Sequence, residues 1–300
     1  MKKIFLTLTI AAALVACGQQ DKDNRQSAEQ TEKKVVIPPG MPTPPVSQAV
    51  PQPNNTYPAQ SNADRPVLNI EEGSPLDLSQ IMGKKNTMEE QAKLQIDSIR
   101  YKAEQGNADF QYLLGTCYDN GWGVDANYGS ALEWFQKAAK QNQKAAFNAI
   151  GNMHRMGRGT KQNDKEAFVW YEKGAEAKDP QAMLNVGNCY YYGMGTGKDI
   201  EKAVTWWQEA AHLGNEFAMS QLGDCYLFGI GMEKDIEKAV ENLSMAADKN
   251  VPSAQYRLGI LYYSGQGVKR DVTYSELLMK KARDGGMKEA QDFLDTKLKK

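Results

Sequence analysis

The sequence predicts an all-α protein, a right-handed α-solenoid of helix–turn–helix repeats that follows a disordered tether. The first observation is a set of glycines at a constant interval of 36 residues, the register glycines Gly115, Gly151, Gly187, Gly223 and Gly259. The second is a Gly-x-Gly pair that begins six residues after each register glycine. The third is an alanine sixteen residues after each of the first four, with Ser275 in the fifth place. A strict period of this length indicates a stack of identical supersecondary units.

The chain begins with a predicted lipoprotein signal peptide over residues 1–16. A short basic segment precedes an apolar run, Ile4 to Ala16, which is shorter than the ~20 residues that a membrane-spanning helix needs. The run ends in Leu-Val-Ala-Cys, which resembles a bacterial lipobox. The resemblance implies cleavage before Cys17, lipidation of Cys17 and, with Gly18 rather than Asp next to it, transport to the outer membrane. The alternative is an ordinary signal peptide that a cysteine follows by chance.

Residues 17–86 differ in composition from the rest of the chain. Ten of the twelve prolines lie between Pro38 and Pro75, among Gln, Asn, Ser and Asp. Because this segment has no sustained apolar period, it cannot bury enough surface to offset the loss of chain entropy. We therefore expect a disordered, partly polyproline tether that separates a folded domain from the membrane. An apolar patch from Val67 to Ile70 could dock on the folded domain.

Each repeat reads as two amphipathic helices, which in the first repeat begin at Ala108 and near Tyr128. The glycines of the Gly-x-Gly pair supply the positive φ angles that a tight turn between them needs. A register glycine costs ~1 kcal/mol inside a helix relative to alanine, so we expect it to let the two helices of a repeat approach closely. The large residues of the second helices are expected to pack between repeats: Trp134, Phe135, Trp170, Tyr171, Trp206 and Trp207.

The third repeat carries the whole pattern. Its members are Ala182, Gly187, Tyr190, Gly193, Gly195, Asp199, Ala203, Trp206, Ala210 and Ala211. This pattern resembles the Sel1-like (Sel-one-like) repeat, a branch of the tetratricopeptide superfamily, and it covers five repeats over residues 108–286. Residues 87–107 and 287–300 each match half a repeat and are predicted as capping helices, since terminal units need a polar outer face. The resemblance implies a scaffold or adaptor that binds proteins or peptides.

The resemblance also implies a concave face lined by the first helix of each repeat. The residues that it places there as partner-binding candidates are Asn148, Asn152, Arg155, Asn188, Tyr191, Tyr192, Asp224, Phe228, Tyr256 and Tyr263. Amide side chains can hydrogen-bond the backbone of an extended peptide, and tyrosines give contact area with little loss of entropy. The sequence thus predicts a binding groove, and the alternative is a merely solvated face.

Catalysis, cofactors and metals have no signature in the sequence. The motifs Gly-x-Ser-x-Gly, Ser-x-x-Lys and Cys-x-x-Cys are absent, and the two histidines form no metal motif. We therefore expect no catalytic residue, no cofactor and no metal site. Cys117, Cys189 and Cys225 share one repeat position, and neighbouring units pack ~8–10 Å apart. That distance is too great for a disulfide, so buried free thiols are expected.

The formal net charge of −1 and the lack of a basic stripe argue against a nucleic-acid partner. The main prediction is a monomeric, lipid-anchored protein of the outer membrane that faces the periplasm and binds proteins or peptides of the cell envelope. Two alternatives remain. One is an envelope hydrolase of the β-lactamase or penicillin-binding type, which the missing nucleophile motifs disfavour. The other is an immunity or inhibitor protein against a secreted toxin, which gene neighbourhood would test.

Overall fold

The computed structural model describes residues 88–298, and every regular element within them is a helix. The predicted signal peptide and tether, with Cys17 and the patch at 67–70, lie outside the described residues. None of the described helices is long and apolar enough to cross a bilayer.

The described helices form five pairs between two terminal elements. The first helix of each repeat, the A helix, is α2 (Ala108–Asn120), α4 (Lys144–Met156), α6 (Pro180–Tyr192), α8 (Glu216–Phe228) or α10 (Pro252–Ser264). The second, the B helix, is α3 (Tyr128–Lys140), α5 (Asp164–Glu176), α7 (Ile200–His212), α9 (Ile236–Asp248) or α11 (Val272–Asp284). Helix α1 (Met88–Glu104) precedes them, and α12 (Lys288–Phe293) with a π-helical turn (Leu294–Leu298) follows. Equivalent helices begin 36 residues apart, which confirms the predicted all-α class and the period.

Side-chain caps set the helix boundaries. Each B helix follows an Asn or Asp whose side-chain oxygen accepts a hydrogen bond from a backbone N–H of the first turn. These caps are Asn127, Asn163, Asp199, Asp235 and Asp271. Each A helix ends at the first glycine of the Gly-x-Gly pair, where φ lies between 68° and 74°. This left-handed conformation closes the helix and turns the chain towards the B helix.

The register glycines lie where the A and B helices of one repeat touch. A Cβ on Gly187 would stand 2.5 Å from Trp207 Cδ1 and 3.1 Å from the Ala203 carbonyl, so the predicted close approach is confirmed. In the other repeats the residue against the glycine is Phe135, Tyr171, Leu243 or Met279. The missing glycine side chain leaves a groove that the ring of the same repeat fills. Phe135, Tyr171 and Trp207 also belong to buried clusters that include the A helix of the next repeat, so the expectation that they pack between repeats is confirmed.

In the second to fifth repeats, the second glycine of the pair contacts the preceding repeat. Gly195 has a φ of 71°, and a Cβ there would collide with the main-chain carbonyl of Asp164, at the start of the preceding B helix. The turns at Gly159, Gly231 and Gly267 pack in the same way against Tyr128, Ile200 and Ile236. The two glycines of a pair therefore have different roles: one ends a helix, and the other lets successive repeats stack.

The alanine row is buried between the paired helices. Ser275, which interrupts the row in the fifth repeat, is also fully buried, and its hydroxyl donates a hydrogen bond to the carbonyl of Gly259 at 2.7 Å. The serine thus satisfies its polar group within the helix contact, as a buried hydroxyl requires. At the two ends, Ile96 and Ile99 of α1 cover the first repeat, and Ala290 and Leu294 cover the fifth.

Candidate functional site

The ten candidate residues all lie on four consecutive A helices, α4, α6, α8 and α10. Counted from the register glycine of each repeat, they occupy the position three residues before it and the positions one, four and five residues after it. Positions with these spacings share one side of a helix. We call the surface that they form in the four repeats the A-helix face.

Three of the candidates are buried. Asn148 accepts a hydrogen bond from Asn185 Nδ2 at 2.7 Å, across the boundary between the second and third repeats. Asn152 accepts one from the Tyr171 hydroxyl, also at 2.7 Å. Tyr256 belongs to the buried cluster beneath the C-terminal cap. The structure therefore uses these three side chains to hold helices together, and their role as partner contacts stays a prediction.

Aromatic rings form the accessible part of the face in the third and fourth repeats. The Tyr191 ring lies 5.3 Å from the Trp207 ring and meets the Tyr192 ring edge-on at 4.9 Å, measured between centroids. Tyr192 is 36% exposed, and Phe228 is partly buried beneath the guanidinium of Arg257, which lies 5.4 Å from its centroid. The Tyr263 ring packs edge-on against Phe293 of the C-terminal element.

An ion pair that the sequence did not reveal links the fourth and fifth repeats at this face. Arg257 Nε lies 3.1 Å from Asp224 Oδ1, with 7% and 20% of the two side chains exposed. Burial raises the pKa of the Asp224 carboxyl, and the charge of Arg257 opposes that effect. A similar but more exposed pair, Arg158 with Asp119, links the first two repeats at 3.5 Å. The only available signal was an opposite charge in the adjacent repeat, which is too common to be diagnostic.

Several buried polar atoms on this face have no hydrogen-bond partner. They are Arg155 Nη2, Asn188 Oδ1, Asp224 Oδ1 and, beneath them, Trp207 Nε1. Asp224 Oδ1 differs from the other three, because Arg257 Nε lies 3.1 Å away and its charge compensates the carboxylate. The fifth such atom among the described residues, Gln266 Oε1, lies in the turn after α10.

A buried polar group without a partner costs ~1–3 kcal/mol, so native proteins contain few of them. Three of these atoms, Arg155 Nη2, Asn188 Oδ1 and Trp207 Nε1, also lack an ion-pair partner, and they mark the A-helix face of the second and third repeats as a candidate binding site.

The three described cysteines are buried and form no disulfide with one another. Burial raises the pKa of each thiol from 9.0 to about 12, so these thiols are neutral and weakly nucleophilic at physiological pH. Among residues 88–298, no group of three His, Cys, Asp or Glu side chains is placed to hold a metal ion.

Five segments of the chain match the family model of the Sel1 repeat. They are residues 108–143, 146–179, 180–215, 217–251 and 252–287, so each begins within two residues of an A-helix start. No curated protein matches the chain.

Solved structures share the fold. The protein c5321, described as a protective antigen present in uropathogenic Escherichia coli strains, is 31% identical with a TM-score of 0.59 over 68% of this chain. This chain spans only 44% of that protein. A Sel1 repeat protein from Oxalobacter formigenes is 29% identical with a TM-score of 0.61, over 67% of this chain and 88% of its own. The immunity protein Pa5087 from Pseudomonas aeruginosa is 20% identical with a TM-score of 0.47, over 63% and 72%, which is too remote to transfer its role.

Proposed function

We propose that this chain, which belongs to the Sel1 repeat family, is an adaptor that binds a protein or peptide partner through its A-helix face. The solenoids of this family typically mediate protein–protein interaction and are generally not catalytic. The observation that carries this proposal is the juxtaposition of Tyr191, Tyr192 and Phe228 with the unpaired polar atoms of the third repeat, Asn188 Oδ1 and Trp207 Nε1. Aromatic rings supply contact area, and polar atoms beside them give orientation, which is the usual composition of a recognition site.

The spacing of the repeats suits an extended peptide. Neighbouring helix pairs pack ~8–10 Å apart, and an extended chain rises ~3.3 Å per residue. About every third residue of such a peptide would therefore meet an equivalent position on the next A helix. Tyr192 and Phe228 occupy equivalent positions in adjacent repeats, and they would contact side chains about three residues apart in the partner.

The partner-binding prediction is tested by truncating one side chain at a time in the full chain. Tyr192→Ala or Asn188→Ala should abolish recovery of a partner from envelope extracts, since truncation at a binding hot spot costs ~2 kcal/mol or more. Tyr101→Ala is the matched control, because Tyr101 lies on α1 and is 65% exposed. Thermal unfolding should change little in all three variants. Loss of the partner in Tyr101→Ala alone would contradict the proposal.

The adaptor acts as a monomer anchored to the outer membrane and faces the periplasm. Acyl chains on Cys17 supply the anchor, at ~0.8 kcal/mol per buried methylene, and residues 17–86 space the repeats from the lipid surface. The support is the lipobox-like sequence and the proline-rich composition of the segment after it.

The anchoring prediction is tested by Cys17→Ala. This change removes the acylated atom, so the protein should leave the membrane fraction or accumulate as uncleaved precursor. Cell fractionation with immunoblotting measures both outcomes. Normal maturation together with unchanged membrane association would show that Cys17 is not the anchor.

A further inference from the structure

We propose that the A-helix face between the second and fourth repeats recognises an acidic segment of an extended peptide, with Arg155 binding a carboxylate and Asn188 binding the peptide main chain. This inference rests on the proposed function and deepens it, because it gives the partner segment a charge and an orientation. Trp207 acts as a positioning residue for Asn188.

Arg155 differs from every other described arginine. Four of the other five pair with a carboxylate, at 2.6–3.5 Å, and Arg270 donates to the carbonyl of Tyr263. Arg155 forms no such ion pair within the described part of the chain. Its guanidinium interacts with the Tyr171 hydroxyl, but its buried Nη2 has no acceptor. A guanidinium presents its donors in a planar fork that matches a carboxylate. Its unused donor therefore fits an Asp or Glu side chain of the partner.

The charges on either side of Arg155 support an anionic ligand. Asp119 is paired with Arg158, and Asp224 is paired with Arg257. Both of these carboxylates therefore have a cationic partner. Asp164 and Glu172 also act on the groups around Arg155, but neither forms an ion pair with it, so Arg155 Nη2 keeps a free donor for an anionic group. An acidic segment gains from this arrangement, whereas a basic segment would be repelled.

Arg155 and Asn188 belong to different repeats, but they lie on the A helices α4 and α6, which contact each other. Burial raises the pKa values of Tyr171 and Cys189, and the positive charge of Arg155 partly opposes the effect on both groups. Arg155 therefore stands near Cys189, the residue that follows Asn188. A carboxylate on Arg155 and a main-chain group on Asn188 can belong to the same peptide.

The second repeat shows how the third can hold a main chain. In the second, the Tyr171 hydroxyl donates to Asn152 Oδ1 at 2.7 Å and fixes the orientation of that amide. In the third, Trp207 takes the place of Tyr171 and Asn188 takes the place of Asn152, yet Trp207 Nε1 and Asn188 Oδ1 are both unpaired. Trp207 is only 1% exposed, so its N–H must find a partner inside the protein.

Ligand binding can complete this missing contact. When the Asn188 amide turns so that Oδ1 accepts from Trp207 Nε1–H, its two Nδ2–H donors are left for the ligand. A main-chain carbonyl of the peptide is a suitable acceptor for one of them. The indole N–H of Trp207 thus changes from unpaired to hydrogen-bonded, which makes it a reporter of binding.

The indole signals of the full chain, labelled with 15N-tryptophan, test the inference. The sequence has five tryptophans, and Trp207→Phe identifies the signal of Trp207. The probes are two blocked pentapeptides, N-acetyl-Ala-Ala-Glu-Ala-Ala-amide and the same peptide with Gln in place of Glu. We expect the Glu peptide to move the Trp207 signal downfield and to bind about ten-fold more tightly, as expected for a charge-assisted hydrogen bond.

Variants assign the charge preference to one side chain. Arg155→Gln should remove the difference between the two peptides, and Arg155→Lys should restore part of it, since it keeps the charge but not the fork. Arg283→Gln is the matched control, because Arg283 lies on α11 and is paired with Asp284. Unfolding curves establish that each variant is folded before its titration is interpreted.

Three results would overturn the inference. They are equal binding of the two peptides, an undiminished preference in Arg155→Gln, and a Trp207 signal that neither peptide moves. If sodium acetate alone shifts the Trp207 signal equally, the claim that Asn188 binds the peptide main chain is overturned. None of these results bears on recovery of a partner in the Tyr192→Ala experiment, so the proposed function stands or falls separately.

Discussion

Two regions of each repeat differ in how their residues recur. One is the contact between the A and B helices, and the other is the A-helix face. At the contact, one residue type recurs: a register glycine under a large side chain, and an alanine or a hydrogen-bonded serine beside it. On the A-helix face, equivalent positions differ between repeats, as Asn152, Asn188 and Asp224 do at the position after the register glycine. The helix contact is closely packed, whereas polar atoms on and directly beneath the face remain unpaired. The difference indicates that the motif specifies stacking, while the positions outside it specify recognition.

The largest effect should come from a change at the helix contact. Gly187→Val adds atoms where even a Cβ would stand 2.5 Å from the Trp207 ring, so we expect a loss of about 3 kcal/mol in the free energy of unfolding through overpacking. Denaturant titration measures it. Gly197→Val is the matched control, because no atom lies within 4 Å of a Cβ at Gly197. Hydrogen exchange in Gly187→Val should increase most in the second to fourth repeats, since each repeat contacts only its neighbours.

If Gly187→Val and Gly197→Val are equally stable, the register glycines are not required for close packing. The recurrence of glycine at this position would then have a cause other than helix packing.

The next largest effect should come from the one nearly buried ion pair of the A-helix face. Arg257→Gln leaves the Asp224 carboxylate without its counter-charge. Breaking a fully buried ion pair lowers the free energy of unfolding by about 3 kcal/mol. The loss should be smaller here, because Asp224 is 20% exposed. Asp224→Asn should restore part of the stability of Arg257→Gln, which a double-mutant cycle measures.

This loss should also depend on pH. Burial already raises the pKa of Asp224, and removing Arg257 raises it further, so the folded state binds a proton more tightly than the unfolded state. The cost of Arg257→Gln is therefore present above the folded pKa and diminishes as the pH falls through it. A loss that is independent of pH would mean that Arg257 stabilises the fold by packing alone.

The smallest effect concerns the buried thiols behind the face. In the folded chain the pKa of Cys189 is about 12, against 9.0 ordinarily, so the unfolded state loses this proton first as the pH rises. Stability should therefore fall above about pH 9, by about 1 kcal/mol per thiol at about pH 10.

Cys189→Ala isolates the contribution of one thiol. Its stability should decline less steeply between about pH 8 and about pH 10 than that of the unchanged chain, whatever its stability at neutral pH. Parallel curves would indicate that the thiol ionises equally in both states and is not buried.

Much of the repeat architecture could be predicted because close packing requires particular residue types. Only glycine fits beneath the Trp207 ring, and a glycine suits the left-handed turn at the end of each A helix, so both contacts are visible as periodic glycines. The partner of the register glycine was missed, because a large residue on an amphipathic helix can pack within its repeat or against the next one. The stacking role of Gly195 was missed for a similar reason: its contact, Asp164, lies in another repeat.

The sequence alone thus determined the helical class, the 36-residue period and the helix that carries each candidate residue. Those properties depend on local conformation and on steric fit, which residue type and spacing encode directly. Only the tertiary structure decided which polar groups are satisfied. Asn148 meets Asn185, and Asp224 meets Arg257, across repeat boundaries. Such contacts depend on the position of one repeat relative to the next to within about 1 Å. A small displacement breaks a hydrogen bond, whereas a hydrophobic contact tolerates a larger one.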